Sequence, residues 1–277
     1  PYQKDGTLEA LAKKGVNAVS MELIPRTSRA QSMDALSSQA GIGGYRAVLE
    51  AAAHYPRFFP MMMTSAGSAK ACRLVVLGAG VAGLQAIATA RKLGATVEAY
   101  DVRAEVKEQI ESLGAKFLDL GLSVNAAGQG GYAKELSDED KKKQQAALTE
   151  KLKTFDVIIS TANIPGKKAP TLITEEAVKG MKPGSVIVDM AAISGGNCPL
   201  SEVNTVSTKH GVKIIGFSNY PGMVAADASH FYSQNLMNVL ALFLKKQDSG
   251  STLEYNLKDD IVAAALIVNK GALCRQL

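Results

Sequence analysis

Arg73-Leu74-Val75-Val76-Leu77-Gly78-Ala79-Gly80-Val81-Ala82-Gly83 is the stretch on which the fold turns. An apolar run without polar alternation describes a strand covered on both faces. It leads directly into G-x-G-x-x-G at the mouth of a helical segment. Each glycine has a mechanical task there: the first makes the tight turn, the second lets backbone approach a pyrophosphate, and the third lets helix and strand pack closely. The helix that starts near Val81 offers free N–H groups and its dipole to a phosphate. Lys92-Leu93-Gly94 ends it with a cationic last turn and a glycine cap.

Working outward, six short apolar runs read as strands, at 73–77, 96–100, 116–120, 156–161, 185–190 and 212–216. They alternate with helical segments, the pattern of a parallel sheet built from βαβ units, and six is the strand number of a doubly wound dinucleotide fold. A second crossover helix, 104–113, stops at Gly114. Regularity fails between 120 and 156. There 121–131 is loop chemistry, and Ser137-Asp138-Glu139-Asp140 supplies an N-cap and acidic first turn for a Lys-rich helix. A long loop inside a compact domain is a lid, a binding element or a plain surface insertion. The flanks read as a helix end at 6–14, a strand at 17–23, one long helix at 227–246, and a final helix or strand and turn at 261–268. The expected organisation is an α/β chain with a doubly wound parallel-sheet Rossmann domain at 69–224. Residues 1–68 and 225–277 form a second, discontinuous and N-terminally truncated α/β domain.

Composition narrows the function. The chain has 277 residues, 47% of them apolar and 21% charged, which excludes disorder as its main state. No apolar run approaches the roughly 18–20 residues of a membrane helix. The chain opens on Pro1 and not Met, without a charged and then apolar leader, so we expect no signal peptide and a piece of a longer protein. Cys72, Cys198 and Cys274 lie far apart without C-x-x-C spacing, so they read as reduced thiols with no metal site. The net charge of +5 is spread along the chain and there is no Trp, so no basic stripe with stacking rings marks a nucleic-acid surface.

The second strand ends at Tyr100-Asp101, 23 residues after Gly78, where an acid accepts hydrogen bonds from the adenosine ribose. A carboxylate there favours a free 2′-hydroxyl, so the cofactor expected is NAD(H). Arg103 dissents, because an arginine two residues on suits a 2′-phosphate. Most dehydrogenases need a general base beside the hydride acceptor, and His54, His210 and His230 share no local spacing. Either the base lies outside this chain or the reaction needs none. Hydride transfer between two nicotinamides moves no substrate proton and requires only two rings held in contact with water kept out.

Several segments carry a resemblance: Arg26 to Gln39 (RTSRAQSMDALSSQ), Gly44-Tyr45-Arg46-Ala47-Val48, Pro60-Met61-Met62-Met63-Thr64, the Gly78 fingerprint, and Gly130-Gly131-Tyr132-Ala133-Lys134-Glu135. Ile164-Pro165-Gly166-Lys167, Met181 to Ser185 and Gly195-Gly196-Asn197-Cys198-Pro199-Leu200 extend it over nearly the whole chain. The sequence resembles the NAD(H)-binding domain I, the alpha subunit, of proton-translocating NAD(P) transhydrogenase. That resemblance implies that NADH bound here passes hydride to NADP⁺ held on a separate NADP(H)-binding domain III, while a membrane domain II couples the exchange to protons. It implies Arg26, Gln31, Asp34 and Ser37 at the nicotinamide and its ribose, with Gln31 bridging toward the partner's nucleotide. Tyr132 would ride on a loop closing over the nucleotide. Gly78, Gly80, Val81, Gly83, Asp101, Val102, Arg103, Gly131 and Ala162 make up the cofactor-binding set, with Asp101, Val102 and Arg103 on the adenosine side. It further implies a homodimer, peripheral to a bacterial inner or organellar membrane. The segment 217–222 is looser than the family pattern. Two other functions stay open: an alanine dehydrogenase-like enzyme, and a non-catalytic NAD(H)-sensing module.

Overall fold

The computed structural model describes residues 5–121, 138–164, 166–247 and 250–274. The chain divides into two compact units, one of Pro1–Gln39 with Ala225–Leu277 and the other of Ala40–Val224.

The larger unit is built on a seven-stranded sheet. In chain order its strands are β1 (Arg73–Leu77), β2 (Thr96–Tyr100), β3 (Lys116–Phe117), β4 (Val157–Ser160), β5 (Val186–Asp189), β6 (Val206–Lys209) and β7 (Val212–Ile215). Their spatial order is β3-β2-β1-β4-β5-β7-β6, and every neighbouring pair is parallel except the antiparallel β7–β6. Two-residue periodicity sorts each strand between two cores. Leu74, Val76, Val157, Ile159, Val186 and Val188 enter one, with residues of α1 (Ala35–His54), α2 (Val81–Lys92) and α3 (Lys107–Ser112). Val75, Leu77, Ile158, Ile187 and Ile214 enter the other, under α4 (Asp138–Leu152) and α5 (Glu175–Gly180). Helices cover both faces, which is why these strands read as unbroken apolar runs. Each such Val, Leu or Ile removed from water contributes about 1.5–3 kcal/mol.

The structure corrects several boundaries. β3 stops at Phe117 and not at 120, because the Asp119 side chain accepts the Gly121 N–H at 2.7 Å and turns the chain. A seventh strand, β6, goes beyond the six expected. It pairs back on β7 through His210 and Gly211, both at positive φ, the geometry of a two-residue type I′ hairpin turn. The 20-residue helix α1 is also an addition to the expected elements.

In the smaller unit, the expected strand at 17–23 is only Ala18–Val19, followed by a 3-10 turn at Met21–Leu23. The long helix α6 (Ala225–Phe243) ends before 246, because Leu244–Gln247 pairs instead with Gly250–Leu253 as a hairpin. The segment at 261–268 is both helix and strand. α7 (Asp260–Ala265) runs into Leu266–Asn269, which pairs with Ala18–Val19 and with Ala272–Leu273. Ile24, Ala30, Met33, Val239, Phe243, Ile261, Val262 and Ala265 form this unit's core. Among the described residues no helix is long and apolar enough to cross a membrane.

One contact in the larger unit is unusually close. A Cβ on Gly44 of α1 would lie 2.0 Å from the Ala82 carbonyl oxygen of α2, whereas one on Gly41 would lie 3.9 Å from Val81. Gly44→Ala is expected to cost about 1–3 kcal/mol by forcing the helices apart. Gly41→Ala should be neutral or slightly stabilising, since alanine is the better helix former. Urea denaturation midpoints of the two variants check this.

Candidate functional site

The 78–83 turn sits where β1 delivers the chain to α2. Gly78 has φ +99° and donates its N–H to the Tyr100 carbonyl at 2.8 Å. A Cβ at Gly83 would come within 1.8 Å of the Gly78 carbonyl oxygen, so glycine is what lets the helix start against the strand end. Gly80 differs from both. It is the N-cap of α2, no side chain caps the helix, and a Cβ there would meet nothing within 4 Å. The start of α2 thus has no side-chain cap and open space beside Gly80, a combination that fits a pyrophosphate. Val81, the first helical residue, is exposed beside it.

Asp101 is 8% exposed at the end of β2. Its Oδ2 accepts the Ala79 N–H at 2.8 Å, tying the acid to the glycine turn. Arg103 donates to Oδ1 from its backbone N–H and from Nε, both at 2.9 Å, and to Oδ2 from Nη2 at 2.9 Å. Burial opposes the charge on Asp101, but the Arg103 guanidinium and the two amides outweigh it and hold the carboxyl below its ordinary value. The arginine read as a possible phosphate ligand is thus bonded to the acid read as the ribose ligand. Val102, between them, is half-buried and packs against the second sheet core.

On the other side of β1, in the same unit, the strand end of β4 meets the glycine turn. Thr161 Oγ1 donates to the Gly78 carbonyl at 3.0 Å. The next residue, Ala162, has its carbonyl held at 2.8 Å by Asn197 Nδ2, which also holds the Pro170 carbonyl at 2.8 Å. Asn197 stands in the Gly195 to Leu200 segment, which closes on Asp189 at the end of β5. Asp189 is fully buried and accepts from Ala191 N–H, Cys198 N–H and Ser201 Oγ at 3.0, 3.0 and 2.6 Å. Sequence reasoning misses Thr161, Asn197 and Asp189 as parts of the site; only the position of Thr161 at a strand end offers a signal. Burial pushes the Cys72 thiol up to about 12 and the Cys198 thiol up to about 11, so neither is a nucleophile at neutral pH.

In the smaller unit, Ser28–Met33 forms a 3-10 helix with Ala30 and Met33 buried. Asn235 Nδ2 and Asn238 Nδ2 hold the Ser32 carbonyl at 2.8 and 3.0 Å. Asp34 Oδ1 accepts the Ser37 N–H at 2.9 Å and Oδ2 accepts its hydroxyl at 2.6 Å, which caps the start of α1. The structure brings Asp34 and Ser37 together in this way. Arg26 and Gln31 are exposed, and the Gln31 side chain makes no hydrogen bond among the described residues. Gly131 and Tyr132 lie outside the described residues.

Comparison with known proteins gives a consistent family. Residues 47–276 match the family described as "Alanine dehydrogenase/PNT, C-terminal domain", and residues 1–43 match its N-terminal counterpart. An NAD(P) transhydrogenase alpha-subunit chain of Rhodospirillum rubrum is 53% identical over 268 residues, which is 96% of this chain and 69% of that protein. Alanine dehydrogenase of Bacillus subtilis is 30% identical over 230 residues, 78% of this chain and 53% of that protein. The crystal structure of transhydrogenase from Sinorhizobium meliloti superposes with a TM-score of 0.85 at 45% identity, covering 99% of this chain and 72% of that one.

The 3-10 segment is anchored by charge as well. Arg29 pairs with Asp259 at 2.8 Å and with Asp260, and Asp259 caps α7 by accepting from Ile261 N–H and Val262 N–H. The Arg29 guanidinium, helped by those amides, lowers the Asp259 carboxyl from 3.8 to about 2. Its contribution to stability is therefore complete above pH 3.8, shrinks as pH falls below that value and is gone near pH 2. In Arg29→Gln, urea unfolding measured between about pH 2 and 5 is expected to show a flatter acid limb.

Proposed function

The chain belongs to the alanine dehydrogenase/PNT family, and from that premise we propose that it is the NAD(H)-binding component of a proton-translocating transhydrogenase. The observation that carries the reading is the uncapped first turn of α2, open at Gly80, with the ionised Asp101 tied to it through Ala79. Its likeness to transhydrogenase alpha subunits is both stronger and longer than its likeness to alanine dehydrogenase.

The roles of the residues are carried over from the family resemblance and, for the residues of the glycine turn and β2, are supported by their surroundings. The amides of α2 behind Gly80 receive the pyrophosphate, and Gly78 and Gly83 keep that turn tight against β1. Asp101, at the end of β2 and bonded to the turn through Ala79, would take the adenosine ribose. Ala162, its carbonyl fixed by Asn197, and Gly131 complete the cofactor side. When bound, NADH supplies the hydride that reduces NADP⁺ on a separate domain III. Arg26, Gln31, Asp34, Ser37 and Tyr132 then orient the nicotinamide end and exclude water, with no proton to move. Gln31 is suited to reach a partner, since its exposed amide is not committed within the described residues. The remaining partners are a membrane domain II, which anchors the assembly, and a second copy of this chain.

The deciding experiment follows reduction of acetylpyridine-NAD⁺ by NADH in the presence of an NADP(H)-loaded domain III from a related transhydrogenase. Turnover that requires both proteins is the expected result. Gln31→Ala is expected to lower it by about 10- to 100-fold, the scale of a lost orienting contact, with NADH affinity kept within about twofold. Alanine-dependent NAD⁺ reduction would replace this reading with the dehydrogenase, and NADH binding without exchange would favour a sensing module.

A further inference from the structure

The buried face of α6 runs through Ala228, Asn235, Val239 and Phe243, one stripe at helical spacing, and Asn235 is its polar member at 6% exposed. We infer that Asn235 is a positioning residue for hydride transfer: through the Ser32 carbonyl it sets the place of Gln31. The inference rests on reading Gln31 as the residue that reaches toward the partner's nucleotide.

Asn235 Nδ2 donates to the Ser32 carbonyl at 2.8 Å, and Asn235 Oδ1 accepts from Ser38 Oγ at 2.7 Å. A carbonyl oxygen can only accept, so the nitrogen end of the amide faces Ser32 and its oxygen end is turned to the hydroxyl. One buried amide thus ties together the chain on either side of Asp34. Asn238, one turn further along α6, donates to the same Ser32 carbonyl at 3.0 Å.

Gln31 is the residue next to the gripped carbonyl. Ser28–Met33 is a 3-10 helix with three residues per turn, so Ala30 and Met33 eclipse, and both enter the core of this unit. Gln31 is left exposed. Two buried side chains and one anchored carbonyl fix the rotation of this short helix about its axis, and with it the direction in which Gln31 leaves the backbone. The helix holds itself weakly, because 3-10 hydrogen bonds have poorer geometry, and the bond that closes its last turn, from the Asp34 N–H to the Gln31 carbonyl, is 3.3 Å long. The 19-residue α6 supplies the fixed reference that this segment lacks.

The test measures hydride exchange from NADH to acetylpyridine-NAD⁺ with NADP(H)-loaded domain III, using the full-length protein as wild type, Asn235→Leu, Gln31→Ala and the double variant. NADH affinity by calorimetry and thermal melting are measured beside it. Leucine keeps the volume and loses both bonds. Asn235→Leu is expected to lower kcat by about tenfold or more, the scale of a misplaced reacting geometry, with NADH affinity within about twofold of wild type. In the Gln31→Ala background the same change should cost less than about threefold, because the side chain it displaces is gone; a purely structural role predicts the same loss in both backgrounds. Unchanged kcat in a folded Asn235→Leu protein, or equal losses in the two backgrounds, overturns the inference while leaving the transhydrogenase reading intact. Wild type that binds NADH without exchange defeats that reading and this inference with it. If Asn235→Leu does not fold, Asn238→Ala takes its place: it removes the second donor to Ser32 and is expected to lower kcat by about threefold where Gln31 is present and not in Gln31→Ala, with the same overturning results.

Discussion

The larger unit is organised by backbone meeting backbone at the first turn of α2. On one side the turn lies against the end of β1, where only a missing Cβ at Gly83 clears the Gly78 carbonyl. On the other side it lies against α1, where only a missing Cβ at Gly44 clears the Ala82 carbonyl. Neither contact can be relieved by rotating a side chain, because both obstacles are peptide oxygens. The neighbouring core follows from this proximity: Ala47, Ala51, Ala86 and Ala90 are fully buried small residues that let the helices stay close. Between these two close contacts the start of α2 carries no side-chain cap, and Gly80 stands beside open space.

The two buried carboxylates at the strand ends handle charge differently. Asp101 is bonded to a cation and two amides, so its charge is neutralised locally. Asp189 is held by amides and a hydroxyl from its own loop, and a Cβ at Gly196 would stand 2.8 Å from its Oδ2. That carboxylate is a fastener for the chain between 190 and 201. Through Asn197 the fastening reaches Ala162, which borders the glycine turn.

Much of this is legible in the amino-acid order. The inner strands announce themselves because both faces are covered, and Asp101 because its distance from Gly78 is set by one strand-helix-strand unit. α1 is not legible: Gly41, Gly43 and Gly44 lie within it, and glycine argues against helix on propensity alone. Here the tertiary contact at Ala82 explains the glycine that propensity penalises. β6 escapes notice because Val206 to Lys209 alternates weakly and its turn, His210-Gly211, is an uncommon type I′ pair. The Arg103 bond to Asp101 and the Asn197 bond to Ala162 depend on how loops fold back, which no spacing encodes. Likewise, Asp34 and Ser37 read as ligands, and the described bonds also make them a helix cap.

The hairpin that adds β6 has a consequence for the protein's behaviour in crowded solution. A parallel sheet ends in rows of unsatisfied amides and carbonyls that can template another chain. Here one rim of the sheet is the two-residue β3. The other is the four-residue β6, turned antiparallel and ending in Lys209, which pairs with Glu202 at 2.8 Å. Among the described residues neither rim offers a long apolar template. The sheet can therefore keep its interior strands intensely apolar without inviting edge-to-edge polymerisation.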